Sequence, residues 1–464
     1  MKRLIILAAT LIAGLSACDS LLDKEPLDRV TQFDYFKTRS DLELFSNPFY
    51  DNLLDKTPYD EQNDLLVQMT LSDVLYGGDK RTVPNTGGGW SWGNLRRINT
   101  LLEYVDQCED KKAVTEYTAL AKFFRAAFYF DKVKRFGDVP WYEVQLGSAD
   151  EALYKPRDSR ELIMTNMIKD IDEAINSGGL TEDISTYRVN KWAALALKAR
   201  FCLFEGTYRK YHRVDPSTGK AWDPEYNKDN KWLREAADAC EELMEAGVYS
   251  LVNSPADVAT QYRSLFTSPS VLKQEVMWAR EYNDEKNVRH DVTWYFTSGS
   301  MGQGWSLDAD FVYTYLNRDG SRFTDRADYK STTYAEQFEN RDYRLMQSIR
   351  YPGYTRRNNN VNTPYAPDFG YCVTGYQPIK WVIDDTSMDS NTAPCATSIP
   401  ILRYAEVLLN YAEAKAELGE FSETVWNATI KLLRERAGVD GAMPSAYDPY
   451  MAEYFLNTTT DMAI

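Results

Sequence analysis

Residues 113–135 restrict this chain more than any other stretch. Tyr117, Leu120, Ala121, Phe124, Ala127 and Phe128 recur at helical spacing, and Phe123, Phe130 and Val133 form a second apolar set. A helix with one apolar stripe can lie on a surface, whereas one that is apolar on more than one side has to be enclosed by neighbours. The pattern therefore predicts a helix inside a helical array. Residues 159–177 supply a second helix: Asp158 or Ser159 can cap it and Glu161 lies in its first turn. Met164, Ile168, Ile171 and Ile175 form its stripe, and Gly178-Gly179 ends it. KWAALALKARFCLFEG (191–206) and WLREAADACEELMEAGVYSL (232–251) read as the two helices of a hairpin. NLRRINTLLEYV, from Asn94, reads as a further helix start, and ILRYAEVLLNYAEAKAELGEF (401–421) as a helix leading into a last one at about 422–437.

Ala412, Ala414 and Ala416, with Gly419 after them, are similar to tetratricopeptide helices, where small residues let neighbours approach closely. No clean 34-residue period persists, so the repeats are degenerate. Between about 252 and 400 the texture changes to Gly, Pro, Asn, Ser and Tyr, and PGYTRRNNNVNTPYAPDFG (352–370) is mostly turn chemistry. The expected fold is mainly α: a degenerate tetratricopeptide-like helix-pair array over about 41–251 and 401–437. An irregular, loop-rich half at about 252–400 is where a binding surface is expected. One domain is expected over 18–464.

Charge and rare residues remove several functions. Among 464 residues, 53 Lys and Arg face 69 Asp and Glu, a net charge of −16. With no basic stripe, neither nucleic acid nor adhesion to anionic lipid through polybasic segments is expected, and a neutral ligand fits better than an anionic one. Only two histidines occur, His212 and His290, so no HExxH zinc motif forms and no triad is supported. Both read as surface or loop residues. No EF-hand spacing supports calcium. No catalytic residue, metal ligand or cofactor is singled out.

The N-terminus reads as an export signal, residues 1–17. Met1-Lys2-Arg3 is basic, LIILAATLIAGL (4–15) is apolar but too short to span a bilayer comfortably, and Leu15-Ser16-Ala17-Cys18 resembles a lipobox. Cys18 is then the lipidated first residue of the mature chain, and the polar residues 19–40 suit a tether. Two acyl chains at Cys18 supply the stable attachment that one chain does not. Of the remaining cysteines, Cys202 and Cys240 lie in apolar helical patterns and read as buried thiols. A Cys372–Cys395 bridge is open, and no disulfide framework is indicated.

Rings with polar handles are abundant: 32 Tyr and 11 Trp against 19 Phe. Trp90 and Trp92 follow three glycines in GGGWSWGN (87–94), with Arg81 and Asn94 nearby as hydrogen-bonding candidates. Trp294, Tyr295 and Trp305 form a second cluster in DVTWYF (291–296) and GQGW (302–305). Sugar rings present apolar C–H faces that stack on aromatic planes, so these seven residues are the candidate ligand contacts. The alternative for each Trp is a core anchor.

AKFFRAAFYFDKVKRFGDVPW (121–141) carries the pattern of a helix followed by F-G-x-V-P, through Arg125, Ala126, Tyr129, Phe130, Phe136, Gly137, Val139 and Pro140. With the lipobox, LLDKEP (21–26), YKPRDSRELI (154–163), ILRYAEVLLNYAEAKAELG (401–419) and RERAG (434–438), the chain resembles the SusD/RagB-like family of outer-membrane nutrient-binding lipoproteins. The resemblance implies a glycan-binding lid on a SusC-like TonB-dependent transporter, non-enzymatic and held to the outer membrane by its lipid. It also implies a basic, aromatic segment beyond Ile464, so a C-terminally shortened chain is expected. A surface glycoside hydrolase and a protein-only scaffold are the competing readings. If the lipobox is used, Cys18→Ala expressed in a lipoprotein-processing host loses acyl-chain labelling and moves from the detergent to the aqueous phase. Unchanged labelling would refute it.

Overall fold

In this computed structural model the described residues are 35–52, 65–70 and 87–448, apart from 213, 217, 299–303, 393, 446 and 447. The signal, Cys18 and Arg81 lie outside them. Helices α1 (Arg39–Asn52), α2 (Gly93–Tyr104), α3 (Lys111–Phe136), α4 (Arg160–Asn176), α5 (Lys191–Tyr211), α6 (Lys231–Glu245) and α7 (Tyr404–Glu417) form the array. Their packing is sequential: α1 and α2 on α3, α3 on α4, α4 on α5, α5 on α6, and α6 on α7. Local side-chain caps start α3, α4 and α5, and of these Ser159 is one of the two candidates expected for α4. Asp110 accepts from the Lys112 and Ala113 amides, Ser159 from Leu162, and Asn190 from Ala193. Enclosure of α3 is complete at Phe123, Phe124, Ala126, Tyr129 and Val133, each 0% exposed. Among the described residues no helix is long and apolar enough to cross a membrane.

Several expected boundaries differ. α6 stops at Glu245, because Gly247 takes a left-handed conformation (φ 63°) and turns the chain. Residues 401–403 are strand rather than helix: β6 (Ile399–Arg403) pairs antiparallel with β2 (Val276–Arg280), Arg280 opposite Ile399. The last helix is two, α8 (Glu423–Ala428) and α9 (Ile430–Arg436), broken at Thr429, which has non-helical φ −133° and ψ −84°. Tyr35 and Phe36 are already folded in, Phe36 at 1% exposure stacking on Tyr104, so the expected tether ends before them.

The region 252–400 is loop-rich, as expected, with short helices and a second core around Val292, Phe296, Trp305, Tyr354 and Ile379. Its hairpin of β4 (Thr355–Asn358) and β5 (Val361–Pro364) turns through Asn359 and Asn360, both with positive φ. A two-residue turn of this hand favours asparagine. A further short pair joins β1 (Leu66–Val67) to β3 (Ser306–Leu307). Cys372 and Cys395 are buried free thiols, so they are not bridged. His290 is buried, not a surface residue: its Nε2 lies 2.9 Å from the Thr397 carbonyl, and burial lowers its pKa.

Buried ion pairs stitch the helices together. Arg125 on α3 makes two bonds to Asp170 on α4, at 2.6 and 2.7 Å. Arg160 on α4 meets Glu205 on α5 at 2.6 Å, and Arg209 joins the same carboxylate at 2.7 Å. Glu275, 0% exposed, holds Arg403 at 2.9 Å and Arg436 at 2.7 Å, fastening α9 to the β2–β6 pair. Removing one member leaves the other charge buried and unanswered, at a cost of about 3–5 kcal/mol. Asp170→Asn is therefore expected to lower the denaturant midpoint strongly, and the double variant Arg125→Met, Asp170→Leu to recover part of the loss. An Asp170→Asn midpoint equal to that of the parent would exclude this role.

Candidate functional site

The spacing of Arg125, Tyr129 and the following F-G-x-V-P has a structural use: it holds residues 139–158 as a strap across α2 and α3. α3 ends at Phe136, and Gly137 (φ 67°) turns the chain back. Tyr129 then donates to the Pro140 carbonyl at 3.2 Å and accepts from the Tyr142 amide at 2.7 Å, while its ring stacks on Trp141 at 4.2 Å. Asn99 on α2 donates to the carbonyls of Tyr142 (2.9 Å) and Val144 (3.1 Å), and its Oδ1 accepts from Arg125 at 3.3 Å. Burial alone would lower the Arg125 pKa; the Asp170 bonds outweigh it and hold the guanidinium above its ordinary value.

The strap and the start of α2 enclose a groove with a volume of about 620 Å³. Its walls are Trp90, Trp92, Tyr142, Val144, Leu146 and Leu153, with Arg96, Lys155 and Arg157 at the edges. The glycine loop explains how Trp90 arrives there. Gly87, Gly88 and Gly89 all have positive φ, and a Cβ on Gly89 would meet the Arg135 side chain at about 2.9 Å. Lys132 on α3, with its pKa lowered by burial, donates to the Gly89 carbonyl at 2.6 Å and fixes the loop.

Trp90 is 40% exposed, with Arg157 lying 4.8 Å from its ring centroid and Phe136 meeting it edge-on at 4.8 Å. Trp92 is half-buried and sits edge-on to Tyr142 at 5.8 Å and to Trp90 at 5.1 Å. It serves as wall more than as platform. Asn94 lies in the first turn of α2, outside the groove lining.

The second cluster is not brought to this groove. Trp294 lines a separate cavity of about 380 Å³ with Arg350, Arg356, Tyr365 and Tyr371. Tyr295 is half-buried against the second core. Trp305 is 1% exposed inside that core, so the expectation that it faces a ligand is corrected: a buried indole offers no face for stacking. Sequence reasoning does not single out Arg157, Tyr142, Lys155 or Arg350. Tyr142 directly follows the 121–141 motif and was within reach, whereas Arg350 sits beside turn-rich sequence that carries no periodic signal.

Chemically, the groove offers stacking planes and cationic donors. Among the described residues lining it there is no carboxylate. Among the described residues as a whole, no cluster of His, Cys, Asp and Glu suits a metal ion.

Comparison with known proteins agrees with this architecture. A family model described as "SusD family" matches residues 274–463, and one described as "Starch-binding associating with outer membrane" matches residues 35–196. SusD-like protein P38 of Formosa agariphila is 23% identical over 452 residues, covering 89% of this chain and 77% of the relative. SusD-like protein P25 of the same organism is 20% identical over 332 residues; the match covers 66% of this chain and 56% of that relative's length. The fold is shared with a SusD-like carbohydrate binding protein of Bacteroides fragilis, at a TM-score of 0.68 and 20% identity, over 92% of this chain and 84% of that one. A second SusD-like protein of that organism superposes with a TM-score of 0.67 at 20% identity, over 95% of this chain and 88% of that one. With two matching models of one kind covering both the helical and the loop-rich parts, the chain belongs to the SusD/RagB-like family.

Proposed function

We propose that this chain is a cell-surface glycan-binding lipoprotein that captures oligo- or polysaccharide and passes it to a SusC-like TonB-dependent outer-membrane transporter. The observation that carries the reading is the exposed Trp90 in a rigidly supported groove with cationic hydrogen-bond donors around it. A sugar ring stacks its C–H face on an indole, and Arg157, Arg96 and Lys155 can donate to its hydroxyls. Shallow stacking with few hydrogen bonds gives weak, fast-exchanging binding, which suits transfer to a transporter. The names of similar proteins, "carbohydrate binding" and "starch-binding associating with outer membrane", support the same reading.

Binding without turnover fits the groove chemistry. Glycosidases of the usual kind need two carboxylates flanking the scissile bond, and the described groove lining contributes none. Outer-membrane attachment rests on the Cys18 lipobox and on the family description.

Affinity electrophoresis and calorimetry against a polysaccharide panel test this, using the chain without residues 1–18. One glycan class is expected to retard the chain, and Trp90→Ala to weaken that binding by about tenfold or more, ~1.4 kcal/mol, with the fold intact. Trp305→Ala serves as a contrast, because emptying a core indole site costs about 3–5 kcal/mol of stability. Undiminished binding by Trp90→Ala would remove the groove from the site, and release of reducing ends by the purified chain would overturn the non-enzymatic reading.

A further inference from the structure

The strongly acidic composition conceals two buried arginines in the loop-rich half. Arg350 and Arg356 line the second cavity, and they are only 4% and 1% exposed. Arg356 has its answer: both Nη atoms donate to Asp389, at 2.7 and 2.6 Å. Arg350 does not. Its Nη1 donates to the Ala366 carbonyl at 2.7 Å, and no carboxylate among the described residues pairs with it. Burial lowers the Arg350 pKa and the neighbouring Arg356 charge acts in the same direction, outweighing the opposite influence of Tyr354, Cys372 and Asp389.

A guanidinium taken out of water without a carboxylate bonded to it is unfavourable, and the nearby Asp389 is already held by Arg356. With Nη1 used, Arg350 keeps Nε and Nη2, the edge that grips a carboxylate through two parallel N–H···O bonds. The surroundings suit a saccharide. Trp294, Tyr365 and Tyr371 supply aromatic wall, with the Arg350 Cζ 5.7 Å from the Tyr365 centroid. Thr297 and Thr386 add hydroxyls. The cavity holds one further carboxylate, Asp368, which is exposed and accepts from the Gly370 amide at 2.8 Å.

We propose that this cavity binds the carboxylate of an acidic sugar residue, a uronate-type unit, with Arg350 as its recognition group and Trp294 and Tyr365 as its stacking walls. The proposal rests on the glycan-binding reading and adds to it a substrate class that the whole-chain charge argues against. Net charge of −16 describes the whole surface, whereas recognition depends on the one cation facing the ligand.

Calorimetry of the chain without residues 1–18 tests it, using polygalacturonate and alginate oligosaccharides, their carboxyl-reduced counterparts and a neutral glycan panel. The expected result is that a uronate-bearing glycan binds at least about tenfold more tightly than its reduced form, a preference only partly reduced by added salt because Arg350 is buried. Arg350→Gln is expected to abolish the preference while circular dichroism stays native. Equal affinity for acidic and reduced forms, or a preference that survives in folded Arg350→Gln, overturns the proposal. If Arg350→Gln does not fold, the acid-versus-reduced comparison on the parent chain still separates the two outcomes. Binding of neutral glycans alone overturns this inference and leaves the glycan reading standing; binding of no glycan overturns both.

Discussion

The guanidinium of Arg125 sits where three parts of the molecule meet. Two of its bonds go to Asp170 on the next helix and a third to Asn99 on the preceding one, and Asn99 in turn holds the strap carbonyls. In a low-dielectric interior such a set is favourable only when every member is answered. Helix packing and groove geometry are thereby tied to one polar arrangement. If α3 slid against α4, the strap would lose its anchor. A weak-binding surface profits from this rigidity, since little of its binding energy is then lost in ordering the site.

Legibility in the sequence followed the range of the interactions involved. α3 and α4 could be read because their apolar stripes, and for α4 the cap Ser159, lie within the segment itself. Ile399–Arg403 could not, because its strand conformation comes from pairing with Val276–Arg280, more than a hundred residues away. Ile399, Pro400 and Ile401 suit extended backbone, but the apolar run continuing into Tyr404–Glu417 masks where strand gives way to helix. The break at Thr429 is local instead: its hydroxyl bonds back to the Val425 carbonyl at 2.6 Å and its backbone leaves the helical region, which a single threonine does not announce in sequence.

The candidate site shows the same division. GGGWSW announced an exposed ring through its glycines, and Trp90 is exposed. GQGW carried glycines too, yet Trp305 is enclosed. An indole looks the same in sequence whether its face meets water or a core, so composition cannot separate the two. Charge behaved likewise: the groove edge is basic in a chain whose overall balance is acidic.

The cysteines set a condition on the chain's life history. Cys108, Cys202, Cys240, Cys372 and Cys395 are all free and almost wholly enclosed. In an oxidising envelope a thiol survives by being hidden, since only an accessible thiolate reacts, and burial further raises the pKa of Cys202 and Cys240. Protection therefore arrives only with folding, and in an oxidising compartment collapse has to outrun oxidation. Once the folded chain opens there, five thiols become available for wrong pairings, and return is blocked chemically rather than energetically. Its persistence in an oxidising compartment would then be governed by how slowly it opens.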